Sequence, residues 1–171
     1  MTDQTTPPAP PPGPLAGLAI TAIVLVLIVA WIALALQFMH DTALFGGFLL
    51  LWFWANNEHL DIKRLPSAIV GGLVGIFLAW FVVYAGTRWG GAGIGAGVGL
   101  MVLALYLDVI KAVPFAINTS TMLYLTVAAA PLIQLHVDWQ ELVLSTVVGG
   151  VFFGAVVTAI TRLAARFAPA G

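Results

Sequence analysis

The chain has 171 residues, of which 61% are hydrophobic and 8% charged, and a mean hydropathy of +1.07. Soluble domains carry roughly a quarter charged residues, so this composition belongs to the membrane class. A formal net charge of -1 argues against a nucleic-acid partner, which would require a basic face, and the lack of cysteine excludes disulfides, thiolate metal sites and thiol nucleophiles.

Residues 1–14 hold six of the ten prolines and no Lys or Arg. A secretory leader opens with basic residues, so this segment reads as a disordered proline-rich tail. The apolar run 15–38 is long enough for a first spanning helix. His40-Asp41-Thr42 interrupts it, and 43–55 predicts a short second helix ending at Asn56-Asn57-Glu58-His59. Pro66 suits the first turn of a third helix, where its missing N–H costs nothing, and that helix is expected to run to residue 86. A fourth is predicted over 90–113, with glycine at 91, 93, 95, 97 and 99. Such spacing lets helix backbones approach closely.

The fifth predicted helix, 113–131, has a proline near each end and carries Asn118, Thr119, Ser120 and Thr121 in a row. Hydrocarbon offers these groups no partner, so they should face protein, water or a solute. A sixth helix covers 142–165, and 167–171 forms a short tail. The expected fold is all-α, a polytopic membrane domain over 15–166 with six transmembrane helices. Lys63, Arg64, Lys111, Arg162 and Arg166 then fall on the side of both termini and only Arg88 on the other. The excess of positive charge predicts cytoplasmic termini.

Ser67-Ala68-Ile69-Val70-Gly71-Gly72 reappears as Ser145-Thr146-Val147-Val148-Gly149-Gly150. Three helices per half would make 15–86 and 90–166 inverted repeats, an arrangement common in channels and carriers. The same offset aligns His40-Asp41-Thr42 with Asn118-Thr119-Ser120, each at the start of an irregular second helix. These two triplets, with Thr121, are the candidate solute pathway, and Phe38 and Phe115 are expected to narrow its two mouths. Asn118 has a second reading, in which it satisfies a carbonyl freed by Pro114 or bonds another helix. Asp108 and Lys111 lie one turn apart. They are read either as a structural pair or as a charged gate for a proton or substrate. His40 with Asp41, His59 with Glu58 and His136 with Asp138 could bind metal or sense pH, but interfacial solvation and helix capping explain all three more cheaply. No hydrolase or metalloenzyme motif is present, so no enzyme activity and no cofactor are expected.

Phe115 after Val113-Pro114, the pair Asp138-Trp139, and Gly149-Gly150 with Gly154 carry a resemblance to a domain-of-unknown-function family of small bacterial inner-membrane proteins. It implies a multi-pass protein of the bacterial inner membrane and brings no activity with it. Val113-Pro114-Phe115-Ala116-Ile117-Asn118 also resembles the start of urea-channel helices, in a chain of about half their length. Two functions are expected from the whole. One is a channel or transporter for a small neutral or weakly polar solute, lined by hydroxyls and amides. The other is a structural or accessory subunit of a larger membrane complex. The glycine faces, with Gly95 and Gly149 on them, predict a homo-oligomer, and Ser67→Ala is expected to do little.

Overall fold

The structure, a computed structural model, describes residues 13–40 and 43–167. All regular elements among them are helices: α1 (Pro14–Ala35), α2 (Phe45–Asn57), α3 (Leu65–Val109), α4 (Thr119–Ala128), α5 (Pro131–His136) and α6 (Trp139–Phe167). Three stretches are long and apolar enough to cross a membrane, Gly17–Ala35, Leu65–Val109 and Trp139–Leu163. This is the architecture of a membrane protein. The tail at 1–12 and the residues 168–171 lie outside the described segments, as do Asp41 and Thr42 of the candidate pathway.

Helix α3 has 45 residues. A straight helix of that length would reach about 68 Å, more than twice the roughly 30 Å of hydrocarbon it must fit. Gly90 resolves the conflict with φ 59° and ψ -136°, a conformation open to glycine and rarely to other residues. The chain reverses there. A Cβ added at Gly93 would collide with the Ala85 carbonyl, and one at Gly97 would meet Val82. The halves 65–89 and 91–109 therefore lie antiparallel in backbone contact. The expected third and fourth helices exist as this hairpin, and alternate glycines of the second half form the seam.

The predicted fifth helix differs most. Residues 110–118 are turns and bends, and regular helix begins only at Thr119. Pro114 lies in this irregular stretch, and Pro131 starts a separate short helix, α5. An isolated proline forbids the hydrogen bond that would carry a helix through it, so what looked like one span is an irregular approach of turns and bends followed by two short helices. At its other end α4 stops at Ala128, three residues before Pro131 enforces the break.

The core gathers where α3 meets α4 and α6 meets α2, with Leu65, Ala68, Ile76 and Ala79 of α3 among its buried residues. Trp31 near the end of α1 is fully buried and packs against Phe152 and Phe153 of α6, with ring centroids 5.8 and 5.6 Å away. Its Nε1–H donates to the Leu44 carbonyl at 3.5 Å. Leu50, Phe53, Trp54 and Leu142 complete the same cluster. The rest of α1 is largely exposed, and its outward leucines, isoleucines and valines suit lipid contact.

Candidate functional site

The repeated Ser-x-x-x-Gly-Gly pattern marks two helix seams. On α3, Gly71 faces Asn118, Gly72 faces the Tyr124 ring, and Gly75 faces the backbone of Thr121 and Leu125. These glycines let α4 settle against α3. On α6, a Cβ at Gly149 would come within 2.6 Å of the Gly47 Cα, and Gly150 lies against Leu50 and Ile69. Each copy therefore buries one of the short helices, α4 in the first case and α2 in the second. The two short helices also touch each other. The Tyr124 hydroxyl donates to the Gly46 carbonyl at 2.6 Å.

Asn118 occupies the N-cap of α4 in extended conformation, φ -153°. Its Oδ1 accepts the Ser120 N–H at 2.9 Å, and its own N–H donates to Thr121 Oγ1 at 3.1 Å. This reciprocal pair satisfies donors that a helix start otherwise leaves open. The two hydrogens on Nδ2 point to the Ser67 carbonyl, the Ser67 Oγ and the Pro114 carbonyl, each at 3.2 Å. Ser67 Oγ in turn donates to the Phe115 carbonyl at 3.1 Å. Asn118 thus ties three segments of chain together: α4, the irregular 110–118 stretch and the first turn of α3.

Ser120 and Thr121 are fully buried. Ser120 Oγ donates to the Ala68 carbonyl at 2.8 Å and Thr121 Oγ1 to the Ala116 carbonyl at 3.1 Å. Thr119 is exposed. Of the four polar residues read from the sequence, three are bonded to backbone, and the structural reading of Asn118 is the one its bonds display. Phe38 and Phe115 are both exposed at the surface. Lys111 Nζ pairs with Asp108 Oδ1 at 3.0 Å, and Lys111 itself adopts φ 51° where α3 ends.

His40 meets the carboxylate of Glu141. Its Nδ1 lies 2.6 Å from Glu141 Oε1, and its backbone N–H donates to Glu141 Oε2 at 2.9 Å. Glu141 belongs to the first turn of α6, so this contact fastens the α1–α2 connection to it. Asp138 Oδ1 accepts the backbone N–H groups of Gln140 and Glu141 at 2.8 and 3.1 Å, which is a capping role. Among the described residues no cluster of three or more His, Asp or Glu could hold a metal.

Sequence reading gave no bonding role to Ser67, Tyr124, Ser145 or Glu141, and Ser67 was expected to matter little. Ser145 matches Ser67 in position and also bonds the backbone of a neighbouring segment. Its Oγ accepts the Gly47 N–H at 3.0 Å and donates to the Leu44 carbonyl at 3.4 Å. The repeated motif was a signal for both serines, since its serine recurs beside the packing glycines. Nothing local marks Tyr124 or Glu141. Among the described residues no buried side-chain nitrogen or oxygen lacks a partner. No family model, no curated protein and no solved structure matches this chain.

Proposed function

We propose that this is a six-span, inverted-repeat membrane protein that passes a small neutral or weakly polar solute. The observation that carries the reading is the reciprocal packing of the short helices. The serine-glycine face of α3 holds α4 while that of α6 holds α2, and Tyr124 meets Gly46 between them. The offset that relates Ser67 to Ser145 also relates Gly46 to Tyr124, as two copies exchanging their middle helices would require. Broken helices at matching positions of two halves are the usual location of a transporter site.

In this conformation Asn118, Ser120 and Thr121 are bonded to backbone, so passage needs the 110–118 segment to part from Ser67. The irregular backbone of that segment, with Asp108–Lys111 at one end and Asn118 at the other, is the moving part. With no charged side chain on α2 or α4, selection rests on hydrogen bonding and diameter. The protein sits in a bacterial inner membrane with both termini in the cytoplasm. Gly91, Gly95 and Gly99, which have no neighbour within 4 Å of an added Cβ, line the face on which copies associate.

Solute uptake into liposomes containing only this protein tests the reading. Flux of small neutral solutes above protein-free liposomes supports it. Absence of flux, together with co-purification of a stoichiometric partner, favours the second reading, a structural or accessory subunit. That second reading draws on one specific observation, the complete internal satisfaction of the buried polar groups among the described residues.

A further inference from the structure

We propose that the groove between α6 and the turn joining α2 to α3 binds an anionic phospholipid, one acyl chain lying along α6 and the phosphate resting at Arg162. The groove has a volume of about 480 Å³. Ile62 and Leu65 form one wall, and Gly154, Ala155 and Ala159 give the α6 side a low floor. Thr158 also lines it, but its hydroxyl already donates to the Gly154 carbonyl at 2.7 Å. The interior therefore offers hydrocarbon contacts and no free hydrogen-bonding side chain, as an acyl chain requires.

The occupant is decided by the charge at the groove's end. Arg162 lies at the end of the apolar stretch Trp139–Leu163, which places its guanidinium at headgroup depth. Among the described residues it has no carboxylate within ion-pair distance. Lys63 adjoins the wall residue Ile62 and likewise lacks one. Arg64 leans on Glu58 at 3.9 Å, and one oxygen of Asp61 accepts the Lys63 backbone N–H at 2.9 Å. Arg162 thus remains to meet a phosphate, with Lys63 one residue from the groove wall adding positive charge to the same turn, and basic pockets between membrane helices take anionic headgroups in this way. A zwitterionic lipid would fill the same trough but bring an ammonium toward Arg162.

The turn itself is rigid enough to hold this geometry. His59 and Leu60 both adopt positive φ, 51° and 60°, and Trp54 Nε1 donates to the Asp61 carbonyl at 2.8 Å. The site is independent of the transport reading, since it lies on the outer surface of α6.

The test is native mass spectrometry of protein released from nanodiscs holding equal amounts of phosphatidylglycerol and phosphatidylcholine with identical chains. Wild type is expected to retain phosphatidylglycerol preferentially. Arg162→Gln should lower that retention about five-fold, the equivalent of about 1 kcal/mol for one cation near the surface. Ala155→Trp fills the trough without touching charge, at a position already facing outward, and should lower it comparably. Lys63→Gln, in an exposed turn, supplies the charge test if Arg162→Gln does not fold. Equal retention of the two lipids by wild type overturns the proposal. So does an effect of the charge variants with none from Ala155→Trp, which would mean diffuse attraction to an anionic surface. Displacement of the lipid by millimolar inorganic phosphate would overturn it as well, by assigning the site to a free anion.

Discussion

Replacing Asn118 separates a cap from a pathway residue. Asn118→Ala removes the acceptor for the Ser120 N–H and the amide donor that serves Ser67 and the Pro114 carbonyl. Loss of an N-cap costs about 1 kcal/mol, and leaving partly buried partners unsatisfied adds about 1–3 kcal/mol, so destabilisation on the order of 3 kcal/mol is expected. Asn118→Ser keeps an acceptor at the cap but is too short to reach Ser67, and should fall between wild type and Ala. Asn118→Asp keeps the cap but turns a carboxylate toward two carbonyls, and should do no better than Ala. The measurement is reversible unfolding in mixed micelles titrated with dodecyl sulfate, followed by tryptophan fluorescence. A stability of Asn118→Ala within about 0.5 kcal/mol of wild type, against the few kilocalories expected for a cap and its partners, would refute the capping account. If liposome flux fell at the same time, Asn118 would be a lining residue instead.

Other substitutions follow from the same contacts. Ser67→Ala, harmless by sequence reasoning, should cost about 1–2 kcal/mol because Ser67 bonds both Asn118 and Phe115; a melting temperature equal to wild type counts against this. Gly149→Ala should be strongly destabilising, since its Cβ would meet the Gly47 backbone, whereas Gly95→Ala meets nothing and should be neutral in the isolated protomer. Equal effects from the two, by the same denaturant titration, would contradict the seam described for α6. Tyr124→Phe should cost about 1–2 kcal/mol through the lost bond to the Gly46 carbonyl, and unchanged unfolding would show that bond to be dispensable. Glu141→Ala removes the acceptor of the His40 backbone N–H and an exposed ion pair, so the loss should stay below about 1 kcal/mol while hydrogen exchange at the His40 amide rises; unchanged exchange would argue against the fastening role.

Composition and hydropathy alone point to an all-helical membrane protein, because uninterrupted apolar runs suit spanning helices, whereas the other structure that satisfies its backbone in lipid, the closed β-barrel, alternates apolar and polar residues. The positions of α1, α2 and α6 were also legible, each from an apolar run bounded by polar residues or proline. The hairpin inside α3 was visible as a polar break near Arg88. That the reversal needs Gly90 alone, while the helix hydrogen bonding continues on both sides, was not. The two serine-glycine motifs were legible as packing faces, but their partners were not. Sequence similarity between α3 and α6 says nothing about which short helix each will hold. Gly149, read as a surface for other copies, lies instead inside the protomer against Gly47. The polar run at 118–121 shows the limit most clearly. Its residue types require partners in an apolar medium, and the sequence established that much. Whether those partners are a solute, water or the chain's own carbonyls depends on which backbone segments end nearby. Only the tertiary fold, by bringing the first turn of α3 and the irregular 110–118 segment to the start of α4, supplied Ser67, Ala68, Pro114 and Ala116 as those partners.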